Sequence, residues 1–299
     1  MKILVVGTGA VASVLVKFLS KDKEVKKIVC GTNDLVRAKE FIPKMSKVSL
    51  VKLDASIIKQ IEKNAKGMDL IINASLPYFN ENIMKVALNV GANYQDLCSE
   101  LKDLKTPEQL KYHQKFTRTN LKALINTGIA PGITNLLAGM ANDIFDKIDE
   151  IHIRLLEEQK TSEFIFTWSP EIALNVEFTQ PALSFQNRKF KLVAPFSGVE
   201  NYDFPKIGNK YVFNLQNDEL ATLPLYIKTK NITYKSGGTD VEFAKGLKSL
   251  GLFDKKTINI KGSKVSPLEF FSKISPQVPT PKEMVKLVEN GVIENAFLL

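Results

Sequence analysis

Along the first 130 residues, short solid runs of apolar residues alternate with stretches whose apolar positions recur at helical spacing. Residues 2–6, KILVV, end at Gly7 and read as a strand covered on both faces, as in a parallel sheet. In 10–19, Val11, Val14, Leu15, Phe18 and Leu19 mark one face of a helix. The alternation continues, with strands expected at 26–32, 47–55, 69–75, 93–98 and 121–129, and helices at 34–41, 56–66, 80–90 and 107–119. Boundary residues agree: Asp34 stands at an N-cap position, Pro43 stops the helix it opens, and Gly91 suits a left-handed C-cap. Six strands alternating with helices predict an α/β fold, a doubly wound parallel sheet of Rossmann type over residues 1–130.

After Gly132 the rhythm changes. A helix is expected at 133–145, followed by segments of alternating apolar and polar residues at 149–157, 163–168, 188–193, 210–215 and 224–234. Pro, Asn-Asp and Gly-Asn turn signals separate them. This predicts an α+β substrate and dimerisation domain over 131–265, built on a largely antiparallel sheet, with a helix at 241–252. Residues 266–299 form a C-terminal helical segment, with helices at 266–274 and 282–290; a return to the nucleotide domain is one option for it. No repeat or low-complexity tract interrupts the chain.

Composition narrows the function classes. A chain of 299 residues, 44% hydrophobic and 24% charged, has the make-up of a globular protein with room for two cores. No stretch approaches the roughly 20 apolar residues of a membrane span. The net charge of +9 comes almost wholly from lysines spread among Asp and Glu, which reads as solvated surface rather than a nucleic-acid face. Two cysteines, Cys30 and Cys98, and two histidines, His113 and His152, argue against a disulfide framework and against a metal site. The expected location is the cytoplasm, and the expected partner a small molecule.

Gly7-Thr8-Gly9-Ala10-Val11-Ala12 has the G-x-G-x-x-G/A spacing, placed between a strand and a helix. Gly7 lets the chain turn sharply, Gly9 bares the backbone to a pyrophosphate, and small Ala12 lets helix pack on sheet. Free N–H groups at the helix start favour phosphate. The second strand ends Cys30-Gly31-Thr32-Asn33 without a carboxylate. Thr32 and Asn33 offer donors to a 2′-phosphate and Arg37 lies one turn on, so NADP is the expected cofactor. NAD stays open, because Asp34 could turn inward to the ribose. Asp54, after the third strand, either approaches the adenine or caps a helix.

Ligands of open α/β sheets sit beyond the carboxyl ends of the strands. Ser75, Leu76 and Pro77 follow strand four and are expected beside the nicotinamide. Tyr78 either donates a hydrogen bond to substrate or packs at the domain junction. Asp96, ending strand five, is the best-placed carboxylate for general base or amine binding, with a loop cap as the plain alternative. Cys98 reads as core. Pro131, Gly132 and Asn135 open the next helix, either to hold a substrate carboxylate or as a hinge. Trp168 is a core residue or a substrate platform. Lys235, like Arg188, is a substrate cation or plain surface.

The stretches Leu70-Ile-Ile-Asn73-Ala-Ser75-Leu-Pro77-Tyr78-Phe-Asn80, Gly91-Ala-Asn-Tyr94-Gln-Asp96-Leu and Asn126-Thr-Gly128-Ile-Ala130-Pro131-Gly132-Ile-Thr134-Asn135 resemble the saccharopine dehydrogenase family. So do Trp168-Ser-Pro-Glu171, Lys245-Gly-Leu-Lys-Ser-Leu250-Gly-Leu252 and Ser263-Lys-Val-Ser266-Pro267, and the likeness runs to about residue 275. The branches in question form saccharopine, carboxynorspermidine or homospermidine. The resemblance implies an amine condensing with an aldehyde and NADPH reducing the imine, or the reverse oxidation of a secondary amine, in lysine or polyamine metabolism, by a homodimer. Two departures stand out. The family's Asp-Pro-Gly is Ala130-Pro131-Gly132 here, and its aromatic-Pro-Gly-His element is Gly237-Gly238-Thr239-Asp240. Family members also continue for several strands past the Ser-Pro segment. A dinucleotide-binding protein of this fold without turnover is therefore the alternative expectation.

Overall fold

The computed structural model describes residues 1–298. The chain divides into two compact units, Met1–Leu137 and Ala138–Leu299. In the first, β1 (Lys2–Val6), α1 (Ala10–Lys21), β2 (Lys27–Thr32), α2 (Leu35–Phe41), β3 (Val48–Lys52), α3 (Ile58–Ala65), β4 (Leu70–Asn73), α4 (Asn80–Val90), β5 (Asn93–Asp96), α5 (His113–Arg118) and β6 (Ala123–Leu124) follow in order. The six parallel strands lie in the order β3-β2-β1-β4-β5-β6, which reverses direction between β1 and β4. Such a switch point opens a crevice at the carboxyl edge.

The solid apolar run of β1 is explained by cover on both faces. Ile3 and Val5 pack with Val16, Ile28, Cys30 and Phe41. Leu4 and Val6 point the other way, to Val29, Leu53, Ile71 and Ile83. Burying each such side chain contributes roughly 1.5–3 kcal/mol before conformational entropy is counted. The expected caps form: Asp34 caps α2, and Gly91 ends α4 in the left-handed conformation at φ 74°. Strand six, expected over 121–129, pairs with β5 at Ala123–Leu124. Asn126 takes φ 56° and sends its N–H to the Asp96 carboxylate instead of into the ladder. The helix expected at 107–119 begins as a 3₁₀ turn at Glu108–Tyr112, because Glu108 is turned inward to receive the N–H groups of Glu100 and Leu101.

Helix α6 (Ile133–Ile144) contains the division between the units. The second unit comprises β7 (Glu150–Thr161), α7 (Pro170–Ile172) running into a π-helical turn at Ala173–Glu177, β8 (Ala182–Gln186), β9 (Lys189–Val193), β10 (Glu200–Phe204), β11 (Gly208–Phe213), α8 (Glu219–Tyr226), β12 (Asn231–Gly238), α9 (Thr239–Ser249), β13 (Ile258–Ile260), β14 (Ser263–Val265), α10 (Pro267–Ile274), α11 (Pro281–Glu289) and β15 (Ile293–Leu298). Its main sheet runs β10-β11-β12-β7-β15, with β8 on β12 and β9 on β8. The sheet is largely antiparallel; β12 and β7 are the parallel pair.

Residues 163–168, expected as a strand, pair with nothing in the sheet. Phe164, Phe166 and Trp168 pack instead on a core of Leu174, Phe178, Phe213 and Leu268. The segment expected at 224–234 divides into the end of α8 and the start of β12. The two C-terminal helices form, α11 with a full capping box at Thr280 and Glu283. After α11, β15 pairs antiparallel with β7 and covers its edge. The unit boundary falls at 137/138 rather than 130/131.

Candidate active site

The glycine loop joins β1 to α1 at the switch point. Gly7 has φ 109°, donates its N–H to Gly31 O at 2.9 Å, and would push a Cβ to 2.5 Å from Ala74 O. Only glycine suits that place. Gly9 is different: its backbone is extended, and a Cβ built there meets nothing within 4 Å. The first-turn N–H groups of α1 have no intrahelical acceptor, and no acidic residue stands in that turn. Bare backbone and a positive helix end fit a pyrophosphate.

At the end of β2 the side chains are committed more firmly than the sequence implied. Asp34 Oδ1 accepts the N–H groups of Val36 and Arg37, each at 3.0 Å, so the carboxylate is held at the helix end and away from a ribose. Thr32, expected as a phosphate donor, is buried; its hydroxyl accepts from Thr8 Oγ1 at 3.0 Å and from the Asp34 N–H at 3.1 Å. It latches the glycine loop to β2. Exposed Asn33 has its carbonyl bonded by Lys52 Nζ, and the Arg37 guanidinium lies 5.3 Å from the Phe41 ring. Lys52 was not singled out from sequence, although its place directly opposite Thr32 in the β2–β3 register follows from the strand pattern. Asp54 accepts from the Ser56 hydroxyl and N–H at 2.6 and 2.8 Å, which hold its carboxyl below the usual range and tie it to its own turn.

The turn after β4 is held by a chain of buried amides. Asn73 Oδ1 accepts from Ser75 N and Oγ, at 3.0 and 2.6 Å, while its Nδ2 donates to Leu76 O and to Asn80 Oδ1, at 3.2 and 2.7 Å. Fully buried Asn80 donates to Cys98 O and to Glu108 Oε1. Tyr94 Oη lies 2.9 Å from both Asn80 Oδ1 and Asp96 Oδ2. Tyr78 follows in the 3₁₀ turn Pro77–Phe79, with its ring 37% exposed. Ser75, Leu76 and Asp96 are residues the sequence singles out for the site; Asn73, Asn80 and Tyr94 are not given a role there, and the signal for them is a pair of asparagines in otherwise apolar surroundings.

Asp96, expected as a general base or amine-binding group or else as a cap, is buried. It is 1% exposed, and its oxygens receive the Asn126 N–H at 2.7 Å and Gln109 Nε2 at 3.0 Å in addition to Tyr94. Burial pushes its carboxyl up to about 7 against the pull of those donors. Nearby, Asn126 Nδ2 is a buried donor without a partner. The segment leading into α6 is likewise closed on itself. Gly132 N–H goes to Asn135 Oδ1 at 3.1 Å, Ile133 N–H to Gly128 O and Thr134 N–H to Ile129 O, so these amides are not left for a substrate carboxylate. Pro131 precedes that turn, and a Cβ at Gly132 would meet Gly128 O at 2.0 Å.

In the second unit, Lys235 is also committed: its Nζ lies 2.7 Å from Glu200 Oε2, which Arg154 holds through two further bonds. Arg154 and then Lys235 pull the Glu200 carboxyl down to about 2. Trp168 packs on the unit's core. A group not foreseen from sequence is acidic. Burial, followed by the charges of Glu157, Asp240 and Glu219, pushes Glu177 up to about 8. Burial and Glu157 push Asp240 up to about 7, and burial raises Glu157. Among the described residues none of Glu157, Glu177 and Asp240 has a basic partner. Gly237 and Gly238, where the family carries its histidine element, are packing residues: Cβ atoms there would meet Tyr211 O at 2.2 Å and Glu157 O at 1.9 Å.

The fold and the glycine loop define a two-unit dinucleotide-binding protein, and comparison with known proteins identifies which. Residues 3–124 match the family described as "Saccharopine dehydrogenase NADP binding domain", and residues 128–288 match "Saccharopine dehydrogenase C-terminal domain". The chain belongs to the saccharopine dehydrogenase family and is an NADP-using oxidoreductase acting on CH–NH groups. It is 26% identical to a carboxynorspermidine synthase of Vibrio cholerae, over 92% of this chain and 73% of that protein. It is also 26% identical to a carboxyaminopropylagmatine dehydrogenase of Synechocystis, over 92% of this chain and 72% of that one. Among solved structures, the apo L-Glu-forming saccharopine dehydrogenase of Saccharomyces cerevisiae shares the fold, with TM-score 0.65 and 16% identity. That match covers 85% of this chain, which spans 59% of the yeast chain. Among the described residues no helix is long and apolar enough to cross a membrane.

Proposed function

We propose that this protein reduces the imine formed between a cationic amine and a carboxylate-bearing aldehyde, yielding a carboxylated polyamine. The carrying observation is the group of Glu157, Glu177 and Asp240 in the C-terminal domain, where burial first, and then the charge of Glu157, raises the proton affinity of Glu177 and Asp240. Acids that share a field without a basic partner favour a cation supplied from outside. The names of the Vibrio and Synechocystis relatives, which carry a triamine derivative and an agmatine derivative, agree with such a substrate. This favours polyamine metabolism over lysine biosynthesis. Homodimeric assembly in the cytoplasm completes the proposal on family resemblance, and light scattering measures the assembly.

NADPH, when bound, supplies the hydride that the imine carbon accepts. Gly7 and Gly9 bare the backbone where the pyrophosphate would rest, and the α1 amides would bind it. Lys52 and Asn33, with Arg37 nearby, would receive the 2′-phosphate, and Asp34 stays at the helix end where it does not repel it. The Ser75-Leu76-Pro77 turn would orient the nicotinamide end. Tyr78 donates a hydrogen bond to the substrate, and Asp96 acts from behind the surface by holding that turn's supports. A protonated imine carbon is already electrophilic, so orientation and exclusion of water account for most of the rate. The amine nitrogen of the product keeps the proton it carried as the iminium.

The test crosses a set of amines with amino-acid semialdehydes while NADPH consumption is followed. Turnover with a diamine or agmatine, and little with glutamate, is the expected result. Turnover with glutamate alone would return the substrate to the saccharopine type and remove the role given to the acidic group.

A further inference from the structure

The hydrogen bonds around Tyr94 do not count out in a single way. Its hydroxyl carries one proton but lies 2.9 Å from two oxygens, Asn80 Oδ1 and Asp96 Oδ2. Asn80 Oδ1 is an amide oxygen, because its Nδ2 donates to Cys98 O and Glu108 Oε1. It accepts only. If Asp96 is ionised, Tyr94 donates to Asp96, and Asn80 Oδ1 keeps the Asn73 amide alone. If Asp96 carries a proton, it donates to Tyr94 Oη, and Tyr94 donates to Asn80 Oδ1. Both contacts are then hydrogen bonds.

The far end of this chain bears on the cofactor. Asn80 is bonded to Asn73, and Asn73 bonds Ser75 N, Ser75 Oγ and Leu76 O. That turn packs against the glycine loop, since a Cβ at Gly7 would lie 2.8 Å from Ser75 N. The near end ties down the exit from β6: Asp96 accepts the Asn126 N–H through its carboxylate and the Thr127 N–H through its carbonyl.

We propose that Asn80, Tyr94 and Asp96 are positioning residues, a one-proton relay that sets how firmly the Ser75–Pro77 turn is held for NADPH. The inference rests on NADP use and not on the identity of the amine. Burial of Asp96 places its titration near neutrality, where the two states exchange. Other titratable or charged groups face the relay. Glu108 bonds Asn80, Cys98 lies in the loop after β5, and Glu81 on α4 is paired with Lys102 and Lys111. Burial raises Glu108 as well, but its oxygens are held by Asn80 and by the Glu100 and Leu101 amides, so its proton is not part of the Tyr94 exchange.

The test is the NADPH dissociation constant, read from cofactor fluorescence between about pH 5.5 and about pH 8.5, for wild type, Asp96→Asn and Tyr94→Phe. Asp96→Asn supplies a permanent donor to Tyr94, with Gln109 turning its amide over to accept. Wild type should weaken by about threefold to tenfold more than Asp96→Asn as pH rises, the worth of one hydrogen bond. Tyr94→Phe, which cuts the relay, should show the same flattened profile at a weaker affinity throughout. The cofactor's own 2′-phosphate titrates equally in all three and cancels. Parallel profiles for wild type and whichever variant folds would overturn the relay. Failure of wild type to bind NADPH would overturn the cofactor assignment and the relay with it.

Discussion

The two units treat buried polar groups in opposite ways. In the nucleotide unit, donors and acceptors are chained from Ser75 through Asn73, Asn80 and Tyr94 to Asp96, and nearly every group has a partner before any ligand arrives. In the C-terminal unit, Glu177 faces Glu157, Asp240 and Glu219, acid against acid. A satisfied network holds a shape that a constant cofactor can use at once. Glu157, Glu177 and Asp240, which have no basic partner among the described residues, are a cost carried by the free protein that the proposed cationic substrate would relieve. On the proposed function, preorganisation and selectivity fall to different units.

The largest expected effects compare two glycines of one loop. Gly9→Ala puts a methyl into open space, so thermal stability should hold while NADPH affinity falls by about a hundredfold as the methyl displaces the pyrophosphate. Gly7→Ala meets the Ala74 carbonyl at a left-handed backbone position and should lose about 3 kcal/mol or more of stability. Equal loss of binding at unchanged melting temperature in both variants would break the distinction.

The acidic group predicts a pH slope. Glu177 and Asp240 are raised on folding, so the stability linked to them is fully present below their unfolded values near 4.5 and 3.8 and is lost as pH rises towards about 8 and about 7. Glu177→Gln should therefore melt higher than wild type at alkaline pH and show a flatter melting profile from mildly acid to alkaline pH. A smaller effect of opposite sign belongs to Glu200. Its lowered carboxyl contributes stability above about pH 4.5 that is lost as pH falls towards about 2. Glu200→Gln should cost about 1 kcal/mol at neutral pH, and Lys235→Gln should leave kcat/KM within about twofold, since Lys235 serves Glu200. Smallest is Asp34→Ala, which removes two cap bonds for about 1 kcal/mol and leaves the NADPH over NADH preference in place.

Most of the nucleotide unit is legible in the sequence because its strands are buried on both faces and its helices carry their own stops. Asp34, Gly91 and the Gly7–Ala12 spacing are local signals, and local physics settles them. The C-terminal unit carries weaker local signals. Phe164, Phe166 and Trp168 alternate like a strand yet serve the core from an irregular segment, and β10, a five-residue edge strand, buries only Phe204 of its own residues and so carries a short apolar signature. The candidate site was legible by place and not by role. Asp96, Thr32 and Lys235 stand where chemistry-bearing groups belong, but each is held by a partner distant in sequence, which no single-chain pattern displays, while the amides after Pro131 are closed by Gly128, Ile129 and Asn135 of their own turn. The acidic group joins residues 157, 177, 219 and 240, from four separate segments, and only the fold brings them together.

The most direct test of this division is the ratio of kcat/KM for agmatine to that for an uncharged amine of similar length, measured for wild type and Glu177→Gln alongside the NADPH dissociation constant. The account predicts that wild type prefers the cation and that Glu177→Gln loses about tenfold of that preference, with NADPH binding unchanged. An undiminished preference in the variant, or a wild-type enzyme indifferent to the charge, would contradict it.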